Sequence, residues 1–220
     1  MRQHITFLHT SPVHVETFDR LVHAANPTLK VEHVVNEELL AEAQGVGADD
    51  PLLVERVRNA MINAASTGAA IVVCTCSTVG GAAEKTQTGG RFRAARIDRA
   101  MADRAVQLGP KILLVAALES TLNPTTNLIR ESAAALHRPA EIQSLIVEGA
   151  WSHFKRGDRD AYLDAVAGAV RSASKRADVV VLAQASMAPA AEALRDLDLA
   201  VLSSPLLGVQ AALAYLQSDG

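Results

Sequence analysis

Cys76 closes an apolar run, Ala69-Ala70-Ile71-Val72-Val73, and opens into Ser77-Thr78-Val79-Gly80-Gly81. A thiol at the end of a strand can act as acid, base or nucleophile once its surroundings lower a pKa that is ordinarily ~8.5. Ser77 and Thr78 place hydroxyls beside it, and Gly80 and Gly81 let backbone N–H groups approach a carboxylate closely. A second valine-rich strand, Val179-Val180-Val181-Leu182, runs into Ala183-Gln184-Ala185-Ser186-Met187. Gln184 and Ser186 can hydrogen-bond an anion there, but an amide cannot exchange a proton. Thr10 and Ser11 follow the first strand and Thr121 follows a later one, and their hydroxyls are further candidates for holding a carboxylate.

Other chemistries fit less well. Cys74 and Cys76 are the two cysteines, and Cys74, inside the strand, reads as a small core hydrophobe and the fallback reactive thiol. Two thiols one residue apart, with seven scattered histidines, do not make the ligand set of about four that zinc requires, so no metal is expected. A phosphatase-type cysteine loop would be closed by an arginine, and none follows Cys76 before Lys85. Ser11 or Thr10 equally suits capping a helix begun by Pro12, Asp98 suits capping the helix after it, and Thr121 suits a turn before Pro124. Arg96 suits either an acid-binding role or the surface. Gly45-Val46-Gly47 follows a helical run, so it is no dinucleotide fingerprint.

The elements that must carry these residues alternate. Strands are expected at 5–8, 30–35, 70–74, 111–117, 141–146, 179–182 and 199–202. Helices are expected at 13–24, 51–66, 98–108, 125–135, 161–173 and 187–195, with a further apolar helix at 206–216. Continuously apolar strands alternating with helices belong to parallel sheets covered on both faces. At 220 residues, 49% hydrophobic and a formal net charge of −3, the chain can bury a full core and has no bulk positive charge to attract nucleic acid. Met1-Arg2-Gln3-His4 leads directly into a strand, and no apolar run approaches the roughly 20 residues of a membrane span, so a cytoplasmic protein is expected.

With Cys76-Ser77-Thr78 after one strand and Ala183-Gln184-Ala185-Ser186-Met187, with Pro189 close behind, after another, the chain resembles the aspartate/glutamate/hydantoin racemase superfamily, a group related to arylmalonate decarboxylase and maleate isomerase. Arg96-Ile97-Asp98, Ser120-Thr121-Leu122-Asn123-Pro124-Thr125, Glu148-Gly149-Ala150-Trp151 and Gly157-Asp158 extend the resemblance over nearly the whole chain. It implies an α/β fold of two similar three-layer α/β/α subdomains with parallel central sheets, pseudo-twofold related. Subdomain boundaries are expected at 1–95 plus 196–220 and at 96–195, with the two motif loops facing across a cleft.

The resemblance also implies a site without cofactor that acts on a small carboxylic acid. In that family each half supplies one cysteine, one to remove the α-proton and one to return it on the opposite face; here Gln184 stands in place of the second. The expectation is therefore an enzyme working through an α-carbanion or enediolate, with Cys76 as its one acid/base. Thr10, Ser11, Ser77, Thr78, Thr121, Gln184 and Ser186 are its expected substrate-binding residues. Should a second base exist, Ser186, His9 and Asp98 are its candidates. The alternative is a non-catalytic or sensory binder of small carboxylates on the same fold. Neither reading involves nucleic acid or membrane, and both leave homo-oligomers open.

Overall fold

Segments such as Ile71–Cys74 and Val179–Leu182 have no polar face, so a sheet built on them must be covered on both sides. The computed structural model, which describes residues 4–218, does this twice. The strands are β1 (His4–His9), β2 (Lys30–Val35), β3 (Ile71–Cys74), β4 (Arg93–Arg96), β5 (Lys111–Ala116), β6 (Glu141–Ile146), β7 (Val179–Leu182) and β8 (Ala200–Ser203). The helices are α1 (Val15–Ala25), α2 (Glu38–Val46), α3 (Pro51–Ala64), α4 (Gly80–Glu84), α5 (Arg99–Leu108), α6 (Leu122–Ala135), α7 (Ala150–Lys155), α8 (Arg159–Ala173), α9 (Ala190–Ala193) and α10 (Ser204–Ser218).

Two parallel four-stranded sheets result, ordered β2-β1-β3-β4 and β6-β5-β7-β8. The central strands β1, β3 and β7 are buried throughout, as is β5 beyond Lys111. Edge strands instead carry polar residues, which protects their unpaired backbone: Lys30, Glu32 and His33 in β2, Glu141, Gln143 and Ser144 in β6. The same rule hides β4 from the sequence pattern, because Arg93-Ala94-Ala95-Arg96 has no apolar run to announce it.

One unit comprises the described residues up to Asp98 and from Pro205 onward, and the other spans Arg99–Ser204. Both limits differ from the expected ones for reasons of strand pairing. Arg96 pairs with Cys74 at the edge of the first sheet, and Ala200–Ser203, expected with the first unit, pairs with β7 in the second. In the first unit Leu8, Leu53, Val57, Met61, Val72, Cys74 and Val79 form one core cluster. Helix α3 enters it with a Leu53, Val57, Met61, Ala64 stripe and starts where expected, with Pro51 in the first turn and the Asp50 carboxylate accepting from Leu52 and Leu53 N–H. Helix α10 returns to the same unit, and a Cβ on Gly208 would fall 2.1 Å from the Ile97 carbonyl oxygen, so only glycine allows that approach. The second unit's core gathers Leu113, Val115, Tyr162, Val166, Val170, Val180, Leu182 and Met187.

Candidate functional site

In open α/β sheets ligands bind beyond the carboxyl ends of the strands, where loops and helix starts converge. Within the first unit β1 and β3 are neighbours, so the loop carrying Thr10 and Ser11 emerges beside the loop carrying Cys76, Ser77 and Thr78. Within the second unit β5 and β7 are neighbours, and Thr121 emerges likewise beside Gln184 and Ser186. Ladder register makes the two arrangements equivalent. Ile5 pairs with Ile71 and Leu8 with Cys74 in one sheet; Ile112 pairs with Val179 and Val115 with Leu182 in the other. The Thr75 N–H donates to the Leu8 carbonyl oxygen at 2.9 Å, and the Ala183 N–H donates to the Val115 carbonyl oxygen at 2.9 Å. One residue further on, Cys76 and Gln184 occupy the same position of their units.

The two cysteines part company in burial. Cys74 is fully buried in the core, its thiol donates to the Cys76 carbonyl oxygen at 3.7 Å, and burial, then the neighbouring Cys76, push its pKa far above the ordinary thiol range. A thiol that does not ionise is a hydrophobe. Cys76 is half-buried on the loop, accessible where Cys74 is sealed.

Ser77 and Thr78 are buried behind it. Arg96, whose side chain is 3% exposed, donates to the Ser77 carbonyl oxygen at 3.2 Å and makes a two-pronged ion pair with fully buried Asp98, at 2.6 and 3.0 Å. That pair places Arg96 in the interior rather than at the surface and gives Asp98 a buried guanidinium partner under the loop. It also changes the reading of the glycines. A Cβ on Gly80 would lie 3.0 Å from Arg96 Nε, so Gly80 admits the guanidinium, whatever else the loop binds.

Ser11 precedes a 3-10 turn, Pro12–His14, and Thr121 precedes α6, yet neither side chain makes a capping hydrogen bond. Thr10 and Thr121 are both buried. The amide of Gln184 is oriented by the backbone: the Ala117 N–H donates to its Oε1 at 3.0 Å, which leaves Nε2 as the outward donor, buried and without a hydrogen-bond partner. Ser186 is tied to Tyr162, Oγ to OH at 2.7 Å, and burial raises the Tyr162 pKa to about 12. Sequence reading missed Tyr162, whose place on the apolar face of α8 looks purely structural, and named His9 among the candidates for a second base. His9 is fully buried with both ring nitrogens engaged, which excludes it as a base facing solvent.

A cavity of about 770 Å³ lies among Lys111, Glu141, Lys175 and Asp178. These residues sit at the amino ends of β5, β6 and β7, opposite the loops that carry Thr121 and Gln184. Among the described residues no group of three or more His, Cys, Asp or Glu is placed to hold a metal ion, and no helix is long and apolar enough to cross a membrane.

Residues 9–212 match the family model described as Asp/Glu/Hydantoin racemase. No curated protein matches the sequence significantly. Among solved structures the chain is similar to an aspartate racemase from Picrophilus torridus, with a TM-score of 0.72, 12% identity and coverage of 98% of this chain and 94% of that one. It is similar to a glutamate racemase isoform from Bacillus anthracis, at 0.71 and 16% identity over 98% of this chain and 82% of that one. A mutant of arylmalonate decarboxylase in its sulfate-associated form aligns at 0.64 and 17% identity over 99% and 94%. Identities this low carry the fold alone.

Proposed function

This chain belongs to the Asp/Glu/hydantoin racemase family, and on that premise we propose a cofactor-independent enzyme that acts on a small carboxylic acid through an α-carbanion or enediolate, with Cys76 as its one acid/base. The Cys76 thiolate takes the α-proton, the electron pair left on carbon delocalises into the carboxylate, and the S–H returns a proton to the same carbon. In a decarboxylation the electron pair comes from the C–C bond to the departing CO₂ and the S–H supplies the proton. Gln184 serves the developing oxygen charge. Preorganised donors aimed at such charge supply much of the stabilisation in enzymes of this kind.

The observation that carries this reading is the equivalence of Cys76 and Gln184 in the two ladders, with the Gln184 amide turned by Ala117 so that it offers N–H rather than oxygen. A donor suits a carboxylate or enediolate; it cannot replace a thiol in moving protons. Thr10, Ser11, Ser77, Thr78, Thr121 and Ser186 supply the remaining polar contacts to the acid in this proposal.

The test is incubation with a panel of small 2-substituted acids in deuterated water, read by proton NMR. Deuterium entering one face of the α-carbon, with a single product enantiomer, is the expected result. Racemisation by the wild type at about 1 s⁻¹ or faster would require a second base and overturn the one-thiol mechanism. Tight binding of an acid with no exchange from any member of the panel would make the protein a carboxylate binder instead.

A further inference from the structure

Behind the Cys76 loop lies a line of hydrogen-bonded side chains that no step above uses. The Thr75 hydroxyl lies 3.3 Å from the Leu8 carbonyl oxygen and 2.9 Å from His9 Nδ1. When that hydroxyl gives its proton to the Leu8 carbonyl oxygen, it accepts from His9, whose proton is then on Nδ1. Its Nε2 is then an acceptor, filled at 2.8 Å by His33 Nδ1–H. His33 Nε2 is buried and without a hydrogen bond, 3.6 Å from Asp19 Oδ1, whose carboxylate favours a proton there. Phe7 stacks on His33 and Phe18 tilts against His9, so the line runs through an apolar box under α1.

We infer that His9 is a positioning residue for Cys76, acting through Thr75 as a neutral imidazole protonated on Nδ1, with His33 Nδ1–H donating to its Nε2. The inference rests on the reading of Cys76 as the reactive group. Thr75 is the residue between the sealed thiol and the accessible one, so anchoring its hydroxyl sets the direction in which Cys76 leaves the sheet. Charging His9 would put a second N–H against His33 Nδ1–H and break the line. Protonating His33 on Nε2 instead completes an ion pair with Asp19 and leaves the His9 bond intact.

The charged and titratable groups facing this line are His14 from the 3-10 turn and Asp19 and His23 from α1. Burial, then His33 and His14, hold His9 down at about 3, so it stays neutral, whereas Asp19 partly offsets the burial that lowers His33. Acid therefore reaches His33 before His9.

Two measurements on the whole protein test this. Long-range ¹⁵N imidazole spectra should show His9 as the Nδ1–H tautomer throughout about pH 5 to 8, with Thr75→Val, a near-isosteric change, loosening that preference. Iodoacetamide alkylation of Cys76, located by peptide mass, should slow about tenfold in Thr75→Val and His9→Phe, because displacements on the order of 1 Å cost up to 10²-fold in reactivity. His9→Asn, whose side-chain amide can donate from the Nδ1 position, should restore much of the rate. If His9 only fills space, Phe preserves reactivity and Asn does not, which overturns the inference, as does an Nε2–H tautomer in the wild type. A wild-type Cys76 that reacts no faster than glutathione, with the tautomer and the variant effects as stated, would sink the activated-thiol reading and leave the positioning role standing.

Discussion

The two units share a ladder and differ in what they bury beneath it. Register sets His9 against Ala116, Thr75 against Ala183 and His33 against Ser144, so a polar line in the first unit has mostly methyl groups as its counterpart in the second. At the loop itself the first unit presents a thiol braced by buried polar side chains, Thr75 with His9 on one flank and Arg96 with Asp98 on the other. The second presents an amide pinned by one backbone N–H. Hydrogen-bonded polar side chains in a buried setting restrict the geometry of what they hold. On the proposed mechanism a group that transfers a proton needs its angle fixed more strictly than one that only donates a hydrogen bond, and the heavier bracing on the Cys76 side agrees with that proposal.

The sharpest way to break the comparison is to exchange the chemistry. Cys76→Ala should lower turnover by roughly 10²- to 10⁴-fold, the usual contribution of a positioned acid/base, in the deuterium assay. Gln184→Cys should leave single-face exchange in place and add racemisation, visible as a second enantiomer by chiral chromatography. If Gln184→Cys abolishes exchange instead, its amide is the more important of the two groups and the asymmetry is wrongly assigned.

Next in size is the bracing of the first unit. Asp98→Ala leaves a buried guanidinium unpaired and should cost about 3–5 kcal/mol in urea denaturation. Replacing both partners, with Arg96→Met and Asp98→Leu together, should cost less than Asp98→Ala alone.

Acid should find the same unit first. His9 and His14 are lowered by burial to about 3 and about 4, against 6.5 when exposed. Below about pH 6.5 the unfolded chain binds protons that the folded chain refuses, so stability is complete above that pH and declines as pH falls toward 4 and then 3. Comparing denaturant midpoints at pH 7 and pH 5, His9→Phe should flatten the decline; an unchanged slope would mean that other groups carry it.

Smallest is a pair of caps. Asp50 holds two N–H groups of α3, whereas Asp158 holds one of α8 at 3.3 Å. Asp50→Ala should destabilise by about 1 kcal/mol and Asp158→Ala by less, within the range known for such caps. Chemical denaturation of each single variant checks the ranking.

Much of this was legible beforehand where a signal is local. Ile71–Cys74 and Val179–Leu182 announce buried strands by unbroken apolar runs rich in β-branched residues, and the helix expected at 51–66 begins at Pro51. The helix expected at 187–195 is in fact a 3-10 turn over Ala185–Met187 followed by the four residues of α9. Strand β4 was invisible because an edge strand between arginines lacks apolar periodicity. His9 and His33 lie 24 residues apart and Arg96 lies 19 beyond Ser77, and nothing local joins such pairs.

By itself, then, the sequence determined the alternation of strands and helices, the delivery of Cys76 and Gln184 to strand ends, and the family to which the chain belongs. The first two rest on periodicity and short-range residue order, the third on the likeness of the motifs at Cys76–Thr78 and Ala183–Met187 to those of the family. Tertiary structure alone decided that Cys74 is sealed while Cys76 is accessible, and that Gly80 makes room for Arg96. It also decided that Asp98 and His9 serve buried partners rather than solvent. Burial and hydrogen-bond partnership are properties of what packs against a residue, and parallel pairing brings those partners from strands distant in the chain.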